Sequence, residues 1–235
     1  MTTLITFASL KGGVGKTTHA VALAAGLLDM GKTVRFLETD EQGSAGAWAD
    51  DVAQAHENLD SVYISLKAND FAEAQDAIAE NAEGPDFTIV DTAGNANAAT
   101  LASMYLADLV LVPFALREWD LDGLDRLHAT YKQMFERFEE DNPETMVALY
   151  RRGVSFISKH DQEKLQGLSQ EYVVRAGLLD TPSIPKWISN NRTPAQLREG
   201  LAPVVGSDPL NDKTLQKADG HIKAFTSTIL EMFNA

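Results

Sequence analysis

The sequence predicts an α/β fold: a three-layer sandwich with a mostly parallel central sheet and helices on both faces. Two observations predict it. Short, almost wholly apolar β-rich runs alternate with helical segments from residue 3 onward, and strands of that kind belong to sheets covered on both sides. A glycine-rich loop follows the first run and opens the first helical segment, which is the setting a phosphate-binding loop requires.

In order along the chain, Leu4-Ile5-Thr6-Phe7 reads as the first strand, and a helix runs from Thr17 to Met30 with Gly31 ending it. Thr33 to Leu37 is the next strand, and Val62-Tyr63-Ile64 precedes a helix near 69–83. Phe87 to Val90, Leu109 to Val112 and Met146 to Leu149 complete the strand set. Gly84-Pro85 and loops near 180–195 and 203–211 read as breaks of ordinary length. With 235 residues, 44% of them hydrophobic, the chain supports one sizeable core and is read as one domain over 1–235.

Composition excludes several chemistries. No cysteine is present, so disulfide frameworks, thiolate zinc sites, iron–sulfur clusters and cysteine nucleophiles are ruled out, and a reducing cytoplasm is the expected setting. The five histidines are scattered with no H-x-x-x-H pair, which argues against catalytic zinc. No basic, apolar leader and no run of 18 apolar residues occurs, so integral membrane association is not expected. The net charge of −14 lies wholly in residues 1–140, with 9 Lys+Arg against 23 Asp+Glu; residues 141–235 balance at 11 and 11. A neutral C-terminal part leaves DNA open as a partner.

The loop Lys11-Gly12-Gly13-Val14-Gly15-Lys16-Thr17-Thr18 carries the chemistry. Glycines turn the backbone tightly and expose successive N–H groups, and the helix start adds partial positive charge. Lys16 is placed to reach β- and γ-phosphates, and the Thr17 hydroxyl to hold Mg²⁺. The general phosphate-loop pattern has a glycine where this chain has Leu10; instead it has an extra lysine, Lys11. The stretch thereby resembles the deviant Walker A motif, KGGxGK[ST], of the ParA/MinD family of P-loop ATPases.

That resemblance implies a P-loop NTPase fold, ATP and Mg²⁺ as cofactors, and a homodimer that closes around ATP. Lys11 would reach across the two-fold axis to the other subunit's nucleotide. Asp91, which closes the run from Phe87 to Val90, matches the Walker B carboxylate and would hold Mg²⁺ through water. Asp40 lies in a segment, Leu37 to Ser44, resembling D-x-D-P-Q-G-S, and inherits the water-positioning role. Glu38 and Glu41 depart from that pattern, and the longer Glu38 is expected to shift the metal's water shell. The catalytic set is therefore Lys11, Lys16 and Asp40. A lone strand-end Asp also serves as a helix cap. Gly94, after Asp91-Thr92-Ala93, offers a backbone N–H to the γ-phosphate. Asp-Thr-Ala-Gly is common in GTPases, and Ser158-Lys159-His160-Asp161 echoes a guanine-reading motif, so GTP is the alternative nucleotide; a solvated helix start near Asp161 explains that stretch equally.

Further likeness covers Ala107 to Pro113, Asp120 to Leu124 and Ser183 to Arg192, about residues 3–195 in all. The last stretch implies an adenine-side contact at Pro185 and a surface facing nonspecific DNA, with Lys186, Arg192 and Arg198 as candidates. Between 148 and 200 eight basic residues stand against five acidic ones, a stripe that reads equally as a mixed solvated surface. Trp48, Trp119 and Trp187 read as packing or interface residues.

Three functions follow from the resemblance. The leading one is a compact ParA-type ATPase that partitions or positions a plasmid, chromosome region or other cargo, or assists conjugative DNA transfer, with a partner protein stimulating hydrolysis and the nucleoid as its location. The alternative is a MinD-like membrane-cycling ATPase, against which the last helix, through Ile222, Phe225 and Ile229, lacks a strongly basic face. A metabolic or electron-transfer relative is third; lack of cysteine removes the iron-protein version.

Overall fold

Seven strands lie in one sheet in the order β3-β2-β4-β1-β5-β6-β7, every neighbouring pair parallel. They are β1 (Thr3–Phe7), β2 (Val34–Glu38), β3 (Leu59–Tyr63), β4 (Phe87–Asp91), β5 (Leu109–Phe114), β6 (Met146–Tyr150) and β7 (Val173–Ala176). The computed structural model describes residues 1–40, 45–54, 56–63, 70–138, 145–151, 153, 157–199 and 210–233. The expected parallel sandwich is found, as a wholly parallel sheet among those residues. Of the readings above, Glu41 to Ser44, Ile64, part of the 148–200 stretch and most of the 203–211 loop lie outside them.

Strand residues alternate between two cores. Ile5 and Phe7, Val34 and Phe36, Ile89, and Leu109 and Leu111 point to one face, where α1 (Lys16–Asp29), α2 (Gly46–Ala53), α7 (Ser183–Ile188) and α9 (Asp212–Glu231) cover them. Leu4, Leu37, Val90, Val110, Val112 and Phe114 point to the other, under α3 (Phe71–Ala82), α4 (Ala98–Leu106) and α5 (Glu118–Arg137). Two-sided burial explains why the strands read as continuous apolar runs. The long helix α1 is buried from His19 through Leu28 because α9 packs over it, so it carries no polar stripe.

Short polar residues start α3, α4 and α9. Asp70 accepts from the Ala72 N–H at 2.8 Å, Asn97 from Thr100 at 2.8 Å, and Asn211 from Thr214 at 2.9 Å. The break expected near 180–195 contains a short helix, α7, and runs into a second: α8 (Pro194–Arg198), which Thr193 and Gln196 open with a reciprocal capping box. These helices have five and six residues, too few turns for periodicity to reveal. The strand expected at Val62 to Ile64 begins earlier, at Leu59. The apolar stripe of α9, Ile222, Phe225 and Ile229, is buried against the first core.

Candidate nucleotide site

The C-terminal ends of β1, β2 and β4 meet at one rim of the sheet, the edge where open parallel sheets present a ligand crevice. The loop from Ser9 to Gly15 leaves β1 there. Gly13 (φ +78°) and Gly15 (φ +100°) adopt the left-handed conformation that glycine permits, and Gly12 and Gly13 are exposed. Gly94 lies against this backbone: a Cβ there would sit 3.0 Å from the Gly12 nitrogen. The loop therefore needs glycine at a position far away in sequence.

Lys16, Thr17 and Asp91 are brought together. The Thr17 hydroxyl donates to Asp91 Oδ2 at 2.6 Å, while Asp91 Oδ1 is buried with no hydrogen-bond partner. Asp91 is 1% exposed; burial pushes its carboxyl up to about 7, against the pull of the Thr17 hydroxyl and the Lys16 ammonium, with Glu38 and Asp40 adding negative charge. Lys16 is also buried, its Nζ 3.5 Å from the Lys11 carbonyl oxygen. Burial lowers its pKa while Asp91, and then Asp40, raise it. An orphaned carboxylate oxygen beside a threonine hydroxyl and a buried ammonium forms a compact site of mixed charge that suits a divalent cation together with an anion. Among the described residues no group of three or more His, Asp or Glu side chains converges as a metal cage, so a cation here would need oxygens from its companion anion.

Glu38 does something the sequence reading did not foresee. Its carboxylate accepts the backbone N–H of Ala45 at 3.2 Å and of Gly46 at 2.5 Å, so it anchors the start of α2. Asp40 is partly exposed at the end of the same chain segment, close enough to act electrostatically on Lys16 and Asp91. Lys11 folds onto its own chain: its ammonium donates to the Trp119 carbonyl oxygen and its methylenes lie over Gly123 of α5.

The remaining candidates lie elsewhere. Pro185 and Lys186 are exposed on α7. Arg192 donates to the carbonyls of Asp51 and Asn191, at 3.1 and 2.8 Å. Arg198 pairs with Asp219 at 2.5 Å and Asp29 at 3.9 Å. Both guanidiniums thus serve acceptors within the chain. Lys159 is 92% exposed and pairs with Glu163, while Ser158 caps α6 (Lys159–Leu168) by accepting from the Asp161 N–H. The stretch that echoed a guanine motif is thus an ordinary helix start, with Ser158 and not Asp161 as the cap. Two residues contacting the loop were not anticipated. His19 is one of the five scattered histidines and Arg151 one of the eight basic residues between 148 and 200; their sole sequence signal is a buried-face position in α1 and a strand-end position after β6.

The chain is similar to known proteins over most of its length. The VirC1 protein family model matches residues 2–181. Protein virC1 of Rhizobium radiobacter is 30% identical over 153 residues, covering 64% of this chain and 64% of its own length, so the chain spans just under two thirds of that relative. The chromosome partitioning protein ParA of Myxococcus xanthus is 28% identical over 161 residues, 54% of this chain and 57% of that one. A plasmid partition protein of Borrelia burgdorferi, solved bound to AMPPNP, shares the fold with a TM-score of 0.66 at 16% identity, covering 99% of this chain and 98% of that one.

Proposed function

The chain belongs to the VirC1 family, and from that premise we propose that it is a ParA-type ATPase that binds Mg-ATP, dimerises around it and binds DNA nonspecifically to position a cargo. It does so as one P-loop ATPase domain over residues 1–235. The observation that carries the reading is the grouping of Thr17 with buried Lys16 and Asp91 beside the glycine loop, with the Thr17 hydroxyl and Asp91 Oδ2 2.6 Å apart and Asp91 Oδ1 unpartnered.

Backbone N–H groups from Gly12 to Thr18 and the Lys16 ammonium bind the phosphates, and Pro185 lines the adenine side. The Thr17 hydroxyl and, through water, the Asp91 carboxylate would hold Mg²⁺, which would supply positive charge beside the β- and γ-phosphates. Asp40 orients the attacking water, and the Gly94 N–H reads the γ-phosphate. Lys11 leaves the Trp119 carbonyl and reaches the nucleotide of a second copy, which links nucleotide occupancy to dimerisation. Lys186 is the foremost DNA contact, since Arg192 and Arg198 would first have to leave acceptors within the chain. A partner protein stimulates hydrolysis, and the cargo is a plasmid, a chromosome region or a strand in conjugative transfer.

Burial of the α9 apolar stripe weighs against a membrane-cycling role, and among the described residues no helix is long and apolar enough to cross a membrane. The test is a mobility shift on unrelated DNA duplexes. Retardation that requires ATP with Mg²⁺ and disappears at high salt is the expected result; retardation indifferent to nucleotide, or ATP-dependent vesicle binding without DNA binding, overturns it.

A further inference from the structure

His19 lies one turn into α1 and is fully buried. Its Nε2 accepts the backbone N–H of Leu178 at 3.0 Å. An N–H only donates, so Nε2 is the bare nitrogen, and Nδ1 carries the proton and donates it to the Gly15 carbonyl oxygen at 2.7 Å. The ring is neutral, in one tautomer set by two bonds. The backbone N–H of His19 donates to the same carbonyl at 3.0 Å, so the side chain adds a second donor and a tie to a distant segment.

Arg151 makes a parallel tie. Its Nη1 lies 3.4 Å from the Val14 carbonyl oxygen and its Nε 3.7 Å from Asp180 Oδ2. Two consecutive loop carbonyls are thus joined to residues 178 and 180 by side chains from different elements. Glycines make the room: a Cβ on Gly15 would lie 3.3 Å from Nδ1, and one on Gly177 only 2.8 Å from Nε2.

The peptide bond is planar and trans, so a carbonyl and the following N–H point in opposite directions. Fixing the Gly15 carbonyl from below aims the Lys16 N–H upward, and fixing the Val14 carbonyl aims the Gly15 N–H likewise. Glycine-rich backbone otherwise spreads over many conformations at an entropic cost to binding.

We propose that His19 is a positioning residue of the phosphate loop: with Arg151 beside it, it locks the Val14–Gly15 carbonyls to the 178–180 segment, so that the Gly15 and Lys16 amides point at the phosphates before they arrive. The consequence for affinity rests on the nucleotide-binding reading above; the consequence for the loop itself does not.

Hydrogen exchange on the nucleotide-free chain and calorimetry with Mg-ATPγS test it on His19→Leu, His19→Asn and Gly177→Ala. His19→Leu removes both bonds at similar size, and is expected to speed exchange in peptides covering 12–18 and to weaken binding about tenfold, the worth of one buried hydrogen bond. His19→Asn retains an amide N–H for the Gly15 carbonyl and recovers most loop protection and affinity, while exchange at Leu178 stays fast. Gly177→Ala drives a methyl into the ring and loosens the same loop peptides, which decides the matter should the leucine variant not fold. Unchanged loop exchange in His19→Leu and in Gly177→Ala, or no recovery in His19→Asn, overturns the proposal. Should the unaltered chain bind no nucleotide, the proposed function falls, and the exchange results alone decide the role of His19.

Discussion

The Thr17 hydroxyl donates to Asp91 Oδ2 at 2.6 Å while the other oxygen of the same carboxylate has no partner. A carboxylate so buried is an unfavourable anion, and its folded-state pKa of about 7 stands above the ordinary 3.8. A group raised in this way stabilises the fold when protonated and loses that contribution as pH rises through its folded value. The metal-free chain is therefore expected to lose stability between about pH 4 and 8, relative to Asp91→Asn, which keeps the Thr17 bond without charge. A shift of about three units corresponds to about 4 kcal/mol as an upper bound. Thermal unfolding of both chains in EDTA across that range checks it; parallel curves would show that Asp91 is not a strained anion.

Lys16 shares that buried site, its ammonium 3.5 Å from the Lys11 carbonyl oxygen. Lys16→Ala removes a charge-assisted bond to phosphate, and loss of such a partner costs about 2–5 kcal/mol. Affinity for Mg-ATPγS should fall by about 30-fold or more in calorimetry. An affinity within tenfold of the unaltered chain would remove Lys16 from the phosphate site.

Particular residues mark where the sequence was legible. Val34, Phe36, Ile89 and Leu111 are apolar because both faces of the sheet are covered, so the strands and their parallel arrangement could be read directly. The phosphate loop was legible because left-handed turns at Gly13 and Gly15 leave few alternatives to glycine. Helix α4, of small and apolar residues throughout, had no polar face to announce it. Nor did spacing indicate that Glu38 would turn toward the α2 amides, or that Arg198 would be taken up by Asp29 and Asp219. Spacing along the chain offers each of these side chains many partners, and only the folded geometry selects among them.

Lys11 rests on the Trp119 carbonyl and the bare surface of Gly123. For it to serve a second subunit it must leave that rest, so its removal should affect assembly more than first contact with nucleotide. Lys11→Ala is expected to bind Mg-ATPγS within about threefold of the unaltered chain, a change under 1 kcal/mol, while light scattering shows a monomer where the unaltered chain forms a dimer. A variant that dimerises normally would confine Lys11 to its intrachain bond.

Asp40 acts on Lys16 and Asp91 through space and is the partly exposed carboxylate of the group, which suits contact with water. Asp40→Ala should retain ATP and the dimer yet hydrolyse at least about 100-fold more slowly, the usual scale of a lost general base or water-orienting group. Phosphate release measured at saturating ATP checks it, and turnover at the original rate would assign water positioning elsewhere.

Gly26 fixes how closely α1 approaches α9. A Cβ there would meet Thr226 Oγ1 at 2.0 Å, its Cβ at 3.0 Å and Ile222 Cγ2 at 3.2 Å. Alanine favours a helix interior over glycine by about 1 kcal/mol, so propensity alone predicts a gain from Gly26→Ala. Overpacking decides otherwise: rotating Thr226 relieves the contact with Oγ1 but not those with its Cβ and with Ile222, and a core so filled loses about 1–3 kcal/mol. The melting temperature should fall by about 2–12 °C for a chain of this size. Thr226 Oγ1 is itself buried without a hydrogen-bond partner, so cutting that side chain back removes both an obstruction and an unsatisfied hydroxyl. The double variant Gly26→Ala with Thr226→Ala should therefore recover most of the lost stability, a coupling between neighbours that a thermodynamic cycle measures directly. Strict additivity of the two substitutions would mean that the helices are not in contact at this point.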